Sequence, residues 1–275
     1  MALRREIEDR GIMPFVGVYD AFSASLVARH FDALFLSGFG FAASQYGLPD
    51  VGFATWSDIA SSVQRLRMIA PDHYLLVDID DGYGDDTIAA HVATSLEAAG
   101  ASAVVLEDQK RPRKCGHLDG KELLDLDEYT YKLKRVLSAR TELFVIARSD
   151  ASEPKDILRR AERFQQTGAD AVLVDGISDV GLLRELRETV SVPLAFNQIA
   201  GGKSPKMSLS QLREAGINIA IYSTPALFAA QEAILSEMQR LQEQDGVLRQ
   251  PDEGAVGVAA CNALLEANLA GLLKN

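Results

Sequence analysis

The chain has 275 residues, 47% of them hydrophobic and 24% charged, which is the balance of a globular protein and excludes extended disorder and fibrous repeats. Its 28 basic against 39 acidic side chains give a formal net charge of −11, which argues against nucleic acid and anionic lipid as partners. Cys115 and Cys261 lie too far apart in sequence to form a disulfide framework, and Met1–Arg10 is charged rather than apolar, so the expected location is the cytoplasm.

Short apolar runs recur along the chain at Phe15–Tyr19, Ala33–Ser37, Tyr74–Asp78, Ala103–Glu107, Leu143–Ala147, Ala171–Asp175, Leu194–Asn197 and Ile219–Ser223. They are rich in Val, Ile, Leu and Phe and do not alternate, as parallel strands buried on both faces do. Helical stretches separate them: Ser57–Ile69, Asp86–Ala99, Asp127–Ala139, Glu153–Thr167 and Asp179–Thr189, with Ser57, Asp86, Asp127 and Asp179 as expected caps. Eight such runs alternating with helices predict a (β/α)₈ TIM barrel. Each run ends on a polar residue, in order Asp20, Ser37, Asp78, Glu107, Arg148, Asp175, Asn197 and Ser223. In a barrel those ends form one ring around the catalytic mouth.

After the last run, Pro225–Gln244 reads as a long amphipathic helix, and breakers around Pro251 precede an apolar helix at Ala255–Leu273. Asn262, Glu266 and Asn268 interrupt that last helix, which points to packing on protein, not to a membrane span. The expected organisation is a catalytic barrel over residues 1–244 and a linker and helix over 245–275 that packs on a neighbouring subunit.

Three motifs carry chemistry. In Asp78-Ile79-Asp80-Asp81-Gly82-Tyr83-Gly84, carboxylates crowd a strand end, and residues two apart on an extended segment point the same way. The segment reads either as a solvated acidic turn or as a site for Mg²⁺ or Mn²⁺; Glu107 at the next strand end favours the metal, with Asp78, Asp80 and Glu107 as ligands. In Lys110-Arg111-Pro112-Arg113-Lys114-Cys115-Gly116-His117, cations surround a thiol, which predicts a stabilised thiolate on an exposed loop. Cys261 has an apolar setting and reads as packing; His30, His73 and His91 receive no role. Asn197-Gln198-Ile199-Ala200-Gly201-Gly202-Lys203-Ser204-Pro205 offers backbone N–H groups and a cation to an anion but lacks P-loop spacing. The Ser37-Gly38-Phe39-Gly40 turn and Arg148 are further anion-facing candidates.

Together with Val18-Tyr19-Asp20-Ala21, Gly47-Leu48-Pro49-Asp50, Leu106-Glu107-Asp108-Gln109 and Ala147-Arg148-Ser149-Asp150, these motifs occur in the order found in the isocitrate lyase/phosphoenolpyruvate mutase superfamily, which the chain resembles roughly from Gly17 to Ala230. The resemblance implies a barrel whose C-terminal helix is exchanged between subunits of a dimer or homotetramer. It implies a Mg²⁺ site at Asp78, Asp80 and Glu107 with Asp50 beside it, and a substrate carboxylate gripped by Ser37 and Gly38 opposite Arg148. It makes Lys114-Cys115-Gly116-His117 a gating loop whose cysteine protonates the leaving carbanion, with Tyr19 and His117 in the proton-transfer set. Lys114, Asp175, Asn197 and Lys203 complete the expected substrate contacts.

The activity implied is Mg²⁺-dependent cleavage of a C–C bond in a 2-hydroxy di- or tricarboxylate of the 2-methylisocitrate or alkylmalate kind. The alternatives are P–C bond chemistry on phosphonopyruvate-type substrates and oxaloacetate decarboxylation. The substrate expected is thus a small anionic oxoacid or hydroxyacid. Two positions depart from the lyase pattern: Asp175 and Ala200 stand where lyase relatives usually carry Glu, which turns the expectation away from isocitrate and 2-methylisocitrate themselves and towards a different malate derivative or a different reaction on an oxoacid.

Overall fold

A parallel strand buried on both faces needs a neighbour on each side, and eight of them satisfy this by closing into a ring. The computed structural model, which describes residues 2–118 and 120–272, shows that ring: β1 (Met13–Val18), β2 (Ala33–Leu36), β3 (Tyr74–Asp78), β4 (Ala103–Glu107), β5 (Phe144–Ser149), β6 (Ala171–Val174), β7 (Leu194–Gln198) and β8 (Ile219–Tyr222). All neighbours are parallel, and β8 pairs with β1 through Met13 opposite Ile219 and Phe15 opposite Ile221, so the barrel is closed. The fold is the expected (β/α)₈ TIM barrel, with strand ends within two residues of those read from the sequence.

The core has two layers. Alternate strand residues such as Phe15, Phe35, Leu76, Val105, Ile146, Leu173 and Ile221 fill the barrel interior, while Val18, Leu36, Val77, Val104 and Val145 face the surrounding helices. Helix α1 (Ala2–Arg10) inserts Leu3 and Ile7 into the interior cluster, an element that its charged sequence conceals. Following the chain come α2 (Ala21–Val27), a short α3 (Gly38–Phe41) running into a π-helical turn Ala42–Tyr46, α4 (Trp56–Ile69), α5 (Asp86–Ala98), α6 (Leu126–Ala139) and α7 (Pro154–Thr167). The series ends with α8 (Val180–Thr189), α9 (Leu209–Glu214), α10 (Pro225–Glu243) and α11 (Val258–Leu272).

Three of the expected caps are corrected. Thr55, Asp85 and Asp125 cap α4, α5 and α6 in place of Ser57, Asp86 and Asp127; each caps by accepting a backbone N–H two or three residues on, a reach the neighbouring residue inside the helix lacks. Asp179 caps α8 as expected. Asp20 is also corrected: it forms a capping box with Ser23 at the start of α2, and its carboxylate is spent there.

Among the described side chains of α11 none is buried, and Val258 is 78% exposed and Leu269 55% exposed. The expected last residue of that helix, Leu273, lies outside the described residues. Among the described residues no helix is long and apolar enough to cross a membrane.

Closure depends on Gly17, because a Cβ there would overlap the Ser223 carbonyl group of the adjoining chain. Gly17→Ala is expected to destabilise the barrel by about 1–3 kcal/mol. Urea unfolding of the variant should show a lower midpoint; an unchanged midpoint would contradict this account of closure.

Candidate active site

Side chains in a strand alternate between faces, so the residue two beyond the last interior hydrophobe points into the mouth. That step runs from Phe35 to Ser37, from Leu76 to Asp78, from Val105 to Glu107 and from Ile146 to Arg148. It continues from Leu173 to Asp175, from Ala195 to Asn197 and from Ile221 to Ser223. All seven polar residues are buried, and all but Glu107 line a narrow chamber of about 30 Å³ whose roof is Cys115 and Gly116.

On one side of the chamber Asp78 and Asp80 converge. The reason differs from the extended segment expected from the sequence: Asp80 is left-handed (φ 49°), and its N–H donates to Asp78 Oδ1 at 3.2 Å. Lys132 of α6 fixes this turn by donating to the carbonyls of Asp81 (2.9 Å) and Gly84 (2.7 Å). Asp81 points away, paired with Arg111.

Asp78 Oδ2 and Asp80 Oδ1 lie 3.2 and 3.4 Å from the point where Gly38 would carry a Cβ, so the Ser37–Gly38 turn and the two carboxylates share one cradle. Asp80 Oδ1 is buried without a hydrogen-bond donor, although Arg113 Nη2 lies within ion-pair range at 3.3 Å. Arg113 also meets Glu107 (Nε–Oε1 2.8 Å) and Asp50 (Nη1–Oδ1 2.5 Å). Among the described residues no three acidic, histidine or cysteine side chains converge at metal-ligand spacing, because this guanidinium lies between the carboxylates.

Arg148 dominates the opposite side. It bonds both oxygens of Asp150 at 3.0 Å, pairs with Asp175 Oδ2 at 2.9 Å and reaches Glu107 Oε2 at 3.4 Å. Asn197 donates to Asp175 Oδ1 at 3.0 Å and accepts from Ser223 at 2.7 Å. The loop over the top is closed by side chains. Gln109 bonds the Lys114 backbone in both directions, and Lys121 bonds the Gly116 carbonyl and Asp150. His117 Nδ1 accepts the Lys203 N–H at 2.9 Å, so its hydrogen sits on Nε2, which faces Asp175 Oδ1 at 3.3 Å.

Burial sets the charge states. It pushes Asp78 and Asp80 upward and Glu107 to about 7, despite Arg113 and Arg148. Asp175 is buried too, but Arg148, His117 and Asn197 outweigh that and hold it below its usual range. The Cys115 thiol is raised, first by burial and then by Asp175 and Asp50. This corrects the expected thiolate: the lysine and arginines nearest in sequence are bonded elsewhere, and burial outweighs the His117 N–H and Arg148, which pull the thiol down.

The sequence profile of the phosphoenolpyruvate phosphomutase family matches residues 3–242. The chain belongs to the phosphoenolpyruvate mutase/isocitrate lyase superfamily. It is 36% identical over 226 residues to a 2-methylisocitrate lyase of Bacillus subtilis (strain 168), spanning 81% of this chain and 74% of that one. The crystal structure of a 2,3-dimethylmalate lyase superposes with a TM-score of 0.90 at 29% identity, over 98% of this chain and 92% of that one. An oxaloacetate acetylhydrolase with a bound inhibitor superposes with the same score of 0.90 at 27% identity, over 97% and 93%. These relatives place the chain among the enzymes of the superfamily, as a carbon–carbon lyase.

Against the superfamily expectation, most site residues meet at the mouth: Ser37, Asp50, Asp78, Cys115, Arg148, Asp175 and Asn197 border one chamber, with Gly38, Asp80, Glu107 and His117 against its walls. Lys203 borders a separate outer cavity of about 400 Å³ above Asp175. Lys114 is corrected: its ammonium bonds the Gly120 carbonyl on its own loop, and Lys121 is the lysine that turns inward. Tyr19 packs behind Gly40 and does not line the chamber.

Arg113, Lys121, Lys132 and Asp150 were not singled out as site residues from sequence. Only the Arg148-Ser149-Asp150 spacing pointed to Asp150, since i and i+2 share a face.

Gly116 is the stopper of the chamber. A Cβ there would overlap Asp175 Oδ2, Arg148 Nη2 and Asp150 Oδ1. Gly116→Ala is expected to lower kcat/KM by about 100-fold by misplacing the loop, an effect of the size ascribed to small misplacements. Its melting temperature should stay near that of the parent; full activity in the variant would refute the stopper.

Proposed function

We propose that the protein is a Mg²⁺- or Mn²⁺-dependent lyase that splits a C–C bond in a small 2-hydroxy dicarboxylate. The observation that carries this is the juxtaposition, in one sealed chamber, of the Asp78–Asp80–Gly38 cradle with a protonated Cys115. The donor set fits a hard dication. Its oxygens are carboxylates, two of which, on Asp78 and Asp80, share one cradle and leave the remaining positions to water and substrate oxygens, and Asp80 Oδ1 is buried with no hydrogen-bond donor. Asp78 and Asp80 would hold the ion, with Glu107 behind them. When bound it would polarise the hydroxyl and carboxylate of the substrate.

The chain's own residues then have distinct tasks. The Ser37–Gly38 turn receives the substrate carboxylate, and Arg148, held by Asp150 and Asp175, fixes the opposite side of the chamber. A base of the buried carboxylate cluster takes the proton of the substrate hydroxyl, the C2–C3 bond breaks as the C2–O bond becomes a carbonyl, and its electron pair leaves on the departing carbon. Cys115 donates its S–H proton to that carbon. His117, whose Nε2 faces Asp175, is a further member of the proton-transfer set in this reading; Tyr19, which does not line the chamber, is left out of it. A second reading, cleavage of oxaloacetate, is supported by the likeness to the oxaloacetate acetylhydrolase structure. The bare apolar side chains of α11 support burial against a second copy, in a dimer or tetramer.

A panel of alkylmalates, 2-methylisocitrate, oxaloacetate and phosphonopyruvate with Mg²⁺ separates these readings; turnover of phosphonopyruvate alone would reject C–C cleavage. Cys115→Ala is expected to lower kcat on the alkylmalate by about 10²–10⁴-fold, the usual loss for a general acid. Unchanged turnover would remove Cys115 from the reaction.

The acid must be protonated, and its titration value is raised above the ordinary 9.0. kcat should therefore show no thiol-linked loss through neutral pH and should fall only on the alkaline side, a limb that Cys115→Ala abolishes. A fall already complete by neutral pH would contradict the assignment.

A further inference from the structure

The loop that seals the chamber reaches the barrel through one fully buried cation. Two residues ahead of Cys115, the chain turns Arg113 down into the mouth, where its side chain is 1% exposed. Its three nitrogens meet carboxylates from three separate places in the fold: Asp50 ahead of α4, Asp80 after β3 and Glu107 at the end of β4. The stem lies against Gly52, whose Cβ position is 3.5 Å from Arg113 Cγ. Gln109 and Lys121 also hold the loop, but each through the loop's backbone carbonyls and N–H rather than through a side chain that the loop sends into the mouth. Arg111 is 42% exposed where it meets Asp81, and Lys114 bonds within the loop.

We propose that Arg113 is the latch of this loop, a positioning residue that holds it shut and so seats the Cys115 thiol in the chamber. The inference concerns loop position and goes beyond the lyase reading, in which Cys115 acts on the substrate. The planar guanidinium suits the task because it faces Glu107 as a fork and still offers Nη1 to Asp50; an ammonium is a point charge and does not span the same set. Breaking a buried pair leaves carboxylates without their partner, a cost relieved when the loop lifts and water enters.

The test reads the sulfur, not the reaction. In a Cys261→Ser background without substrate, alkylation of Cys115 by iodoacetamide is followed by mass spectrometry. Arg113→Gln should accelerate it about tenfold or more, since local opening then exposes the thiol. Arg113→Lys should fall between the two.

The direction is diagnostic. Removing a nearby cation without moving the loop would disfavour the thiolate and slow alkylation, so only opening produces acceleration. Arg113→Lys keeps the charge, so acceleration in that variant also reports loop movement alone, which keeps the test valid if Arg113→Gln fails to fold. Unchanged or slower alkylation in the folded variants overturns the latch. Because no substrate is used, failure of the lyase reading would leave this result intact.

Discussion

Charge buried at the barrel mouth has to be neutralised by charge placed just as deeply, and Arg148 is where that requirement is met most densely. Its guanidinium ends β5 and touches Asp150 on its own strand exit, Asp175 after β6 and Glu107 of β4. Three neighbouring strand ends are thereby tied to one planar cation. Buried ions without such partners are far costlier than paired ones. The tie extends outward: Asp108 accepts from the Asp150 N–H and the Ser149 hydroxyl, and Arg160 of α7 closes the far side of Asp108 at 3.0 Å. The helical layer thus holds the orientation of Arg148 through Asp150.

The neutralisation is unequal across the mouth. Asp175 lies beside Arg148 with two further hydrogen-bonding neighbours and remains ionised, while Glu107, shared between two arginines but fully buried, rises to about 7. Burial pushes Asp78 and Asp80 upward as well, even though Arg113 lies 3.3 Å from Asp80. The gradient runs from the ionised Asp175 on the Arg148 side to the raised carboxylates on the Gly38 side, which is where the proposed dication would sit.

Much of this was legible in the sequence because strand periodicity is strict. Once an interior hydrophobe such as Leu173 is placed, Asp175 two residues on has to point into the mouth, and the same step located Ser37, Asp78, Glu107, Arg148 and Asn197. Caps were less legible, since Thr55 and Ser57, or Asp85 and Asp86, offer similar side chains and only backbone geometry selects between them. Helix α1 was hidden because only Leu3 and Ile7 of its nine residues are buried. The loop was misread for a different reason. Sequence proximity put Arg111, Arg113 and Lys114 around Cys115, but in an irregular segment neighbouring side chains turn to separate partners, here Asp81, Glu107 and the Gly120 carbonyl.

That redistribution gives the cysteine its chemistry. Were the three cations gathered at the sulfur, a thiolate would face an electron-rich departing carbon with no proton to give. Arg113 is instead drawn off by Asp50, Asp80 and Glu107, and at Cys115 burial, with the Asp175 and Asp50 carboxylates, outweighs the His117 N–H and Arg148 and favours the neutral thiol. In the proposed reading, Asp78 and Asp80 would hold a dication on one side of the chamber while burial, Asp175 and Asp50 keep the acid protonated on the other. One excess of buried negative charge prepares both ends of a bond cleavage, and the acidity of the whole chain, taken as a sum, conceals it.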